Sequence, residues 1–71
     1  MYIFKRIKDY KKDIIDKDDM IEGILIDIGQ KNNKKLGEKL FDHIDASLYD
    51  IRNDSQLKDL AKEVYYNYEQ L

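Results

Sequence analysis

The amino-acid sequence predicts an all-α fold, a compact three- or four-helix bundle. Proline is absent and glycine occurs only at positions 23, 29 and 37, so little in the chain interrupts a helix. Apolar residues recur at spacings of three and four in four segments, which is the pattern of amphipathic helices. Connections of about two to five residues join these segments and favour antiparallel neighbours. We therefore expect residues 1–71 to form one helical domain.

The first two helices are predicted over about residues 2–16 and 20–28. In the first, apolar residues repeat at spacings of four, three and four: Ile3, Ile7, Tyr10 and Ile14. The second follows Asp19, which has the spacing of a capping box with Glu22. Gly29 is well placed to end it. Four aspartates surround this junction and are interpreted as helix-capping groups: Asp13, Asp16, Asp18 and Asp19.

The third and fourth helices are predicted over about residues 34–52 and 56–70. Asn33 is a good N-cap for the third helix, and residues 53–55 supply capping side chains for the fourth. Gly37 falls within the apolar face of the third helix, where it costs roughly 1 kcal/mol relative to alanine. We therefore expect another helix to approach closely at that position.

A small α+β domain is the lesser alternative. Ile24, Ile26 and Ile28 alternate with other residues as they would in a strand. Residues 2–7 and 23–28 would then pair as strands.

The composition restricts the classes of protein to which the chain could belong. It contains no cysteine, which excludes disulfides and thiolate chemistry and favours the cytoplasm. No apolar run has the length of a transmembrane helix, and the apolar residues of the N-terminus precede its charges, unlike a signal peptide. We expect no membrane partner. The formal net charge is −2, with more basic than acidic residues before position 36 and the reverse after it.

The sequence shows no convincing catalytic constellation. His43 is the only histidine, and Ser47 and Asp50 follow it at helical spacing. We interpret the three residues as a polar edge, because a hydrolytic site also needs oxyanion donors and a pocket. No phosphate-binding glycine motif or metal-ligand spacing is present. We therefore expect no enzyme activity, cofactor, metal or small-molecule substrate.

Apolar side chains outside the helix stripes indicate protein binding. Tyrosine is a favoured interface anchor, and Tyr66 lies opposite the stripe of the fourth helix. The candidate protein-binding residues are Tyr66, Tyr65, Tyr49 and Ile26, with Tyr2 as a further exposed position. These residues predict a non-enzymatic inhibitor, immunity factor, adaptor or accessory regulator. Its many residues with AT-rich codons favour a low-GC bacterium, or one of its phages or plasmids, as the source.

Two other functions fit the sequence. The chain could be a nucleic-acid-binding regulator if the lysines of the first helix adjoin those of residues 31–39. The candidate residues are Lys5, Lys8, Lys12, Lys31, Lys34, Lys35 and Lys39. The chain could also be a structural homo-oligomer whose exposed tyrosines meet across a two-fold axis.

Overall fold

The computed structural model describes residues 2–71, which form four α-helices and one short 3-10 helix. They are α1 (Tyr2–Lys11), α2 (Lys17–Asp27), α3 (Lys34–Leu48), α4 (Asp54–Asn67) and the 3-10 helix Tyr68–Gln70. The prediction of an all-α bundle is confirmed, and residues 2–71 contain no strand. The alternative of paired strands is wrong because residues 2–7 and 23–27 are helical.

The helices pack in a closed ring around one core. α1 and α3 each pack mainly against α2 and α4, so α1 and α3 lie at opposite corners. Lys8, near the end of α1, pairs with Asp54 at the start of α4. Tyr2, at the start of α1, lines a groove with Tyr66, near the end of α4. α1 and α4 therefore run in opposite directions, as in an up-and-down bundle with short connections.

The core contains apolar side chains from all four helices, and no polar or charged side chain within residues 2–71 is buried. The buried residues are Ile3, Ile7, Met20, Ile24, Leu25, Leu40, Ile44, Leu57, Leu60, Ala61 and Val64. Burial of each large aliphatic side chain contributes about 1.5–3 kcal/mol before the entropy cost of folding is subtracted. Each amphipathic stripe is thus needed to fill the core.

The end of α1 corrects the sequence prediction. The helix stops at Lys11 rather than near residue 16. Asp13 adopts the left-handed conformation, with φ of 60°. The amide of Ile14 donates to the Asp9 carbonyl at 2.8 Å, and the amide of Asp13 donates to the Tyr10 carbonyl at 3.0 Å. These bonds form a Schellman turn. Because the turn redirects the chain, Ile14 leaves the predicted stripe and is 64% exposed.

The start of α2 also differs from the prediction. Asp16, not Asp19, is the N-cap, and its carboxylate accepts a hydrogen bond from the Asp19 amide at 2.8 Å. The helix therefore begins three residues early and places Asp18 and Asp19 in its first turn. Negative charge there is favoured by the helix dipole. Its C-terminal stop is confirmed, because Gly29 has φ of +74° in a second Schellman turn.

The predicted caps of α3 and α4 are confirmed at their N-termini. The Asn33 side chain accepts a hydrogen bond from the Leu36 amide at 3.2 Å, and the Asn53 side chain accepts one from the Gln56 amide at 2.9 Å. α4 therefore begins at Asp54, two residues before the predicted start.

The C-terminal ends of α3 and α4 come earlier than predicted. After Leu48, the amides of Asp50 and Ile51 donate to carbonyls only three residues back. This tightening turns the chain so that Ile51 packs against the core. In the same way, the last residues of the predicted fourth helix tighten from α4 into the 3-10 helix.

Two glycines permit close contacts between α2 and its neighbours. A Cβ atom at Gly37 would lie 3.0 Å from Ile21 Cγ2 and 3.3 Å from Leu25 Cδ1, which confirms the close approach predicted there. At Gly23 a Cβ atom would overlap the guanidinium of Arg6, which lies across α2. Arg6 Nε also donates to Asp27 Oδ2 at 3.3 Å and thereby links α1 to the end of α2.

We expect Asp13→Gly to stabilise the protein by about 0.5–1 kcal/mol, because glycine adopts positive φ without steric cost and removes a negative charge from a helix C-terminus. Gly29→Ala, at the equivalent turn position after α2, should destabilise it by about 1 kcal/mol. Urea denaturation of the two variants measures both changes. Equal signs for the two substitutions would contradict the assignment of these turns.

We expect Gly37→Val to destabilise the protein by about 1–3 kcal/mol, because its added atoms overlap Ile21 and Leu25. Lys39→Val is the matched control, since it adds the same side chain to an exposed position of α3. The control should change the free energy of unfolding by about 0.5 kcal/mol or less. Similar values for both variants would show that helix propensity, rather than packing, decides the effect.

Candidate functional site

Three exposed tyrosines come together where α1 begins and α4 ends. Tyr2, Tyr65 and Tyr66, called here the aromatic patch, line a shallow groove with Ile3 and Asp27. The Tyr65 and Tyr66 rings meet edge to face, with centroids 5.0 Å apart and an interplanar angle of 88°. Tyr66 is 70% exposed and Tyr2 is 72% exposed. The groove therefore offers aromatic surface that no other part of residues 2–71 covers.

The helical register of α4 explains this exposure. Leu57, Leu60 and Val64 fill the core, and Tyr66 projects from the opposite side of the helix, as predicted. Tyr65 lies on the flank that faces α1 and is 41% exposed. The structure adds Tyr2 to this pair, because the antiparallel packing of α1 and α4 places the start of one helix beside the end of the other.

The other two candidate protein-binding residues lie elsewhere. Tyr49 is 82% exposed at the end of α3, at the opposite end of the bundle from the aromatic patch. Ile26 is exposed on α2 and lines a different groove with Arg6 and Gly23. The structure therefore unites Tyr65 with Tyr66 and separates both from Tyr49.

A group of lysines lies farther along the same pair of helices. Lys8 Nζ donates to Asp54 Oδ2 at 2.9 Å. The ammonium groups of Lys8 and Lys58 lie 5.4 and 5.5 Å from the centroid of the Phe4 ring, close enough for cation–π attraction. Lys12 also acts on the Asp54 carboxylate through its charge. We call Lys8, Lys12 and Lys58 the lysine cluster.

Asp54 reports the electrostatic field of the lysine cluster. The hydrogen bond from Lys8 holds the pKa of the Asp54 carboxyl below its ordinary value of 3.8, and desolvation opposes this shift. The charges of Lys8, Lys12 and Lys58 lower the same pKa further. Favourable interaction with the ionised form is the physical cause. The lysine cluster therefore binds a carboxylate within its own chain.

The seven lysines predicted to bind nucleic acid do not form one surface. Lys5 pairs with Asp9 at 3.0 Å on α1. Four others lie in the connection before α3 or on α3 itself, at the opposite corner from α1: Lys31, Lys34, Lys35 and Lys39. Lys8 of α1 instead lies near Lys58 of α4, since both contact the Phe4 ring, and Lys58 was absent from the sequence-based prediction. The spacing of Lys58, Lys62 and Tyr65 along one flank of the α4 stripe was the available signal.

The aromatic patch and the lysine cluster belong to one surface, the α1–α4 face. Lys58 and Tyr65 are seven residues apart on the same flank of α4, which corresponds to about 10 Å along the helix. Phe4 packs beside Lys58, and Tyr2 lies beside Tyr65. The α1–α4 face thus has an aromatic end and a basic end.

His43 lies outside this face. Its Nε2 atom contacts the Glu63 carboxylate of α4, and Ser47 and Asp50 line the neighbouring groove between α3 and α4 with Glu63. Among residues 2–71, no three side chains of metal-binding type converge. No helix in this part of the chain is long and apolar enough to cross a bilayer.

No protein-family model, curated protein or solved structure matches this chain. Its surfaces are therefore the only guide to its function, and the α1–α4 face brings three exposed tyrosines together with a charged cluster.

We expect Lys8→Ala to raise the pKa of the Asp54 carboxyl toward its ordinary value, because the hydrogen bond that lowers it is lost. Since the folded-state pKa is the lower one, ionised Asp54 stabilises the fold above the unfolded-state pKa. This contribution disappears as the pH falls through the folded-state pKa. An NMR titration of the carboxyl carbon measures the shift. Lys39→Ala, at the distant corner, is the control, and an unchanged Asp54 titration in Lys8→Ala would refute the pairing.

Proposed function

We propose that this chain is a non-enzymatic protein that binds another protein in the cytoplasm, as an inhibitor, immunity factor, adaptor or accessory regulator. The observation that carries the proposal is the aromatic patch, in which Tyr2, Tyr65 and Tyr66 meet on the surface of a 71-residue chain.

Tyrosine suits such a contact for physical reasons. Each ring offers a large area with few rotatable bonds, so little side-chain entropy is lost on binding. The edge-to-face contact restricts Tyr65 and Tyr66 before any partner arrives. Residues of this type at the centre of an interface commonly contribute most of its binding energy. The groove beside Tyr2 gives an incoming apolar side chain a place to pack.

The aromatic patch can be altered without disturbing the core, because Tyr66 is mostly exposed. A photo-crosslinking amino acid at position 66 should capture a protein from the lysate of a low-GC bacterium. The same group at position 49 is the control, since Tyr49 is even more exposed but lies at the other end of the bundle. Equal capture at both positions, or recovery of nucleic acid alone, would contradict the proposal.

We expect Tyr66→Ala to weaken the affinity for the partner identified by crosslinking, purified on its own, at least tenfold, equivalent to about 1.4 kcal/mol. Tyr49→Ala should change the affinity less than twofold. Titration calorimetry measures both. Thermal melting should show Tm values within a few degrees of the wild type, because substitutions at exposed positions have small effects on stability. Loss of affinity in both variants to the same extent would place the interface elsewhere.

A further inference from the structure

The basic end of the α1–α4 face has more positive charge than its own carboxylate neutralises. Lys8, Lys12 and Lys58 all act on Asp54, so one carboxylate is surrounded by three ammonium groups. Lys11 adds a fourth ammonium group nearby, which donates to the Ile51 carbonyl at 3.3 Å where the chain approaches α4. Contacts with Phe4 hold Lys8 and Lys58 in place beside the seam between the helices.

We infer that the partner presents an acidic segment to the α1–α4 face, with carboxylates against the lysine cluster and an apolar side chain in the groove of the aromatic patch. This inference rests on the proposed function and specifies the chemistry of the partner. Complementary charge at an interface speeds association and selects against other partners.

The geometry also sets the spacing within the segment. The lysine cluster and the aromatic patch are about 10 Å apart along α4, the rise of seven helical residues. A helical segment lying along the seam would therefore carry its acidic residues about two turns from its apolar anchor. An extended segment would cover the same distance with about three residues.

An acidic protein segment fits this face better than a nucleic acid does. Asp54 and Asp9 lie among the α1–α4 lysines. The predicted nucleic-acid-binding lysines of residues 31–39 are at the opposite corner. They therefore cannot contact the phosphates of a strand bound along the α1–α4 face. A protein segment with a few carboxylates at suitable positions can be bound by the lysine cluster alone.

Charge reversal tests the inference. The probes are polyglutamate and a 20-nucleotide oligothymidylate, each titrated at low salt into the ¹⁵N-labelled full chain. Polyglutamate should shift the amide signals around Lys8, Lys12 and Lys58, and the double variant Lys12→Glu/Lys58→Glu should lower its apparent affinity at least fivefold. Lys34→Glu/Lys35→Glu is the matched control, because it reverses two exposed lysines at the other corner. It should retain at least half of the wild-type affinity.

Three outcomes would overturn the inference. One is the absence of lysine-cluster shifts with polyglutamate, and another is tighter binding of oligothymidylate with the same lysine dependence. The third is a concentration-dependent dimer in sedimentation analysis that the Lys12→Glu/Lys58→Glu variant abolishes, which would make a second copy the occupant. Crosslinking at position 66 is independent of all three. If it still captures a protein whose affinity the charge reversal leaves unchanged, the proposed function stands and the acidic segment is wrong.

Discussion

The structure depends on the burial of four apolar stripes against one another. A chain of 71 residues with no cysteine has neither a disulfide nor a large core to stabilise it. Each helix therefore contributes its aliphatic residues to one shared core, and no polar side chain of residues 2–71 is buried there. As a result, the polar and aromatic groups available for function lie on the flanks and outer faces of the helices.

This constraint explains which part of the fold could be predicted from the sequence. The stripes have to repeat with the period of the helix, so the helices and most of their buried residues follow from spacing alone. The caps at Asn33 and Asn53 and the stop at Gly29 use residues with strong local preferences. The end of α1 did not follow, because Asp13 carries out the turn that glycine usually makes. An aspartate in that role has no distinctive sequence signal.

Only part of the candidate site could be predicted from the sequence, because the rest depends on how separate helices pack. Exposure of Tyr66 follows from its place opposite the α4 stripe, which needs only one helix. The proximity of Tyr2 to Tyr65, and of Lys8 to Lys58, depends on how α1 and α4 are aligned against each other. That alignment arises from core packing between residues far apart in the chain. One basic surface from the lysines of residues 5–12 and 31–39 required α1 and α3 to adjoin, and that alignment instead places them at opposite corners.

The position of Arg6 over Gly23 has a consequence for the groove at the aromatic patch. Asp27 forms part of the groove wall, and its carboxylate is paired with Arg6. On its way to Asp27 the Arg6 side chain crosses Gly23, where an added Cβ atom would overlap its guanidinium. A larger residue there would displace the guanidinium and so disturb its pairing with Asp27 beside the tyrosines. The missing side chain at position 23 thus bears on the charge that an incoming side chain would meet at the wall of the tyrosine groove.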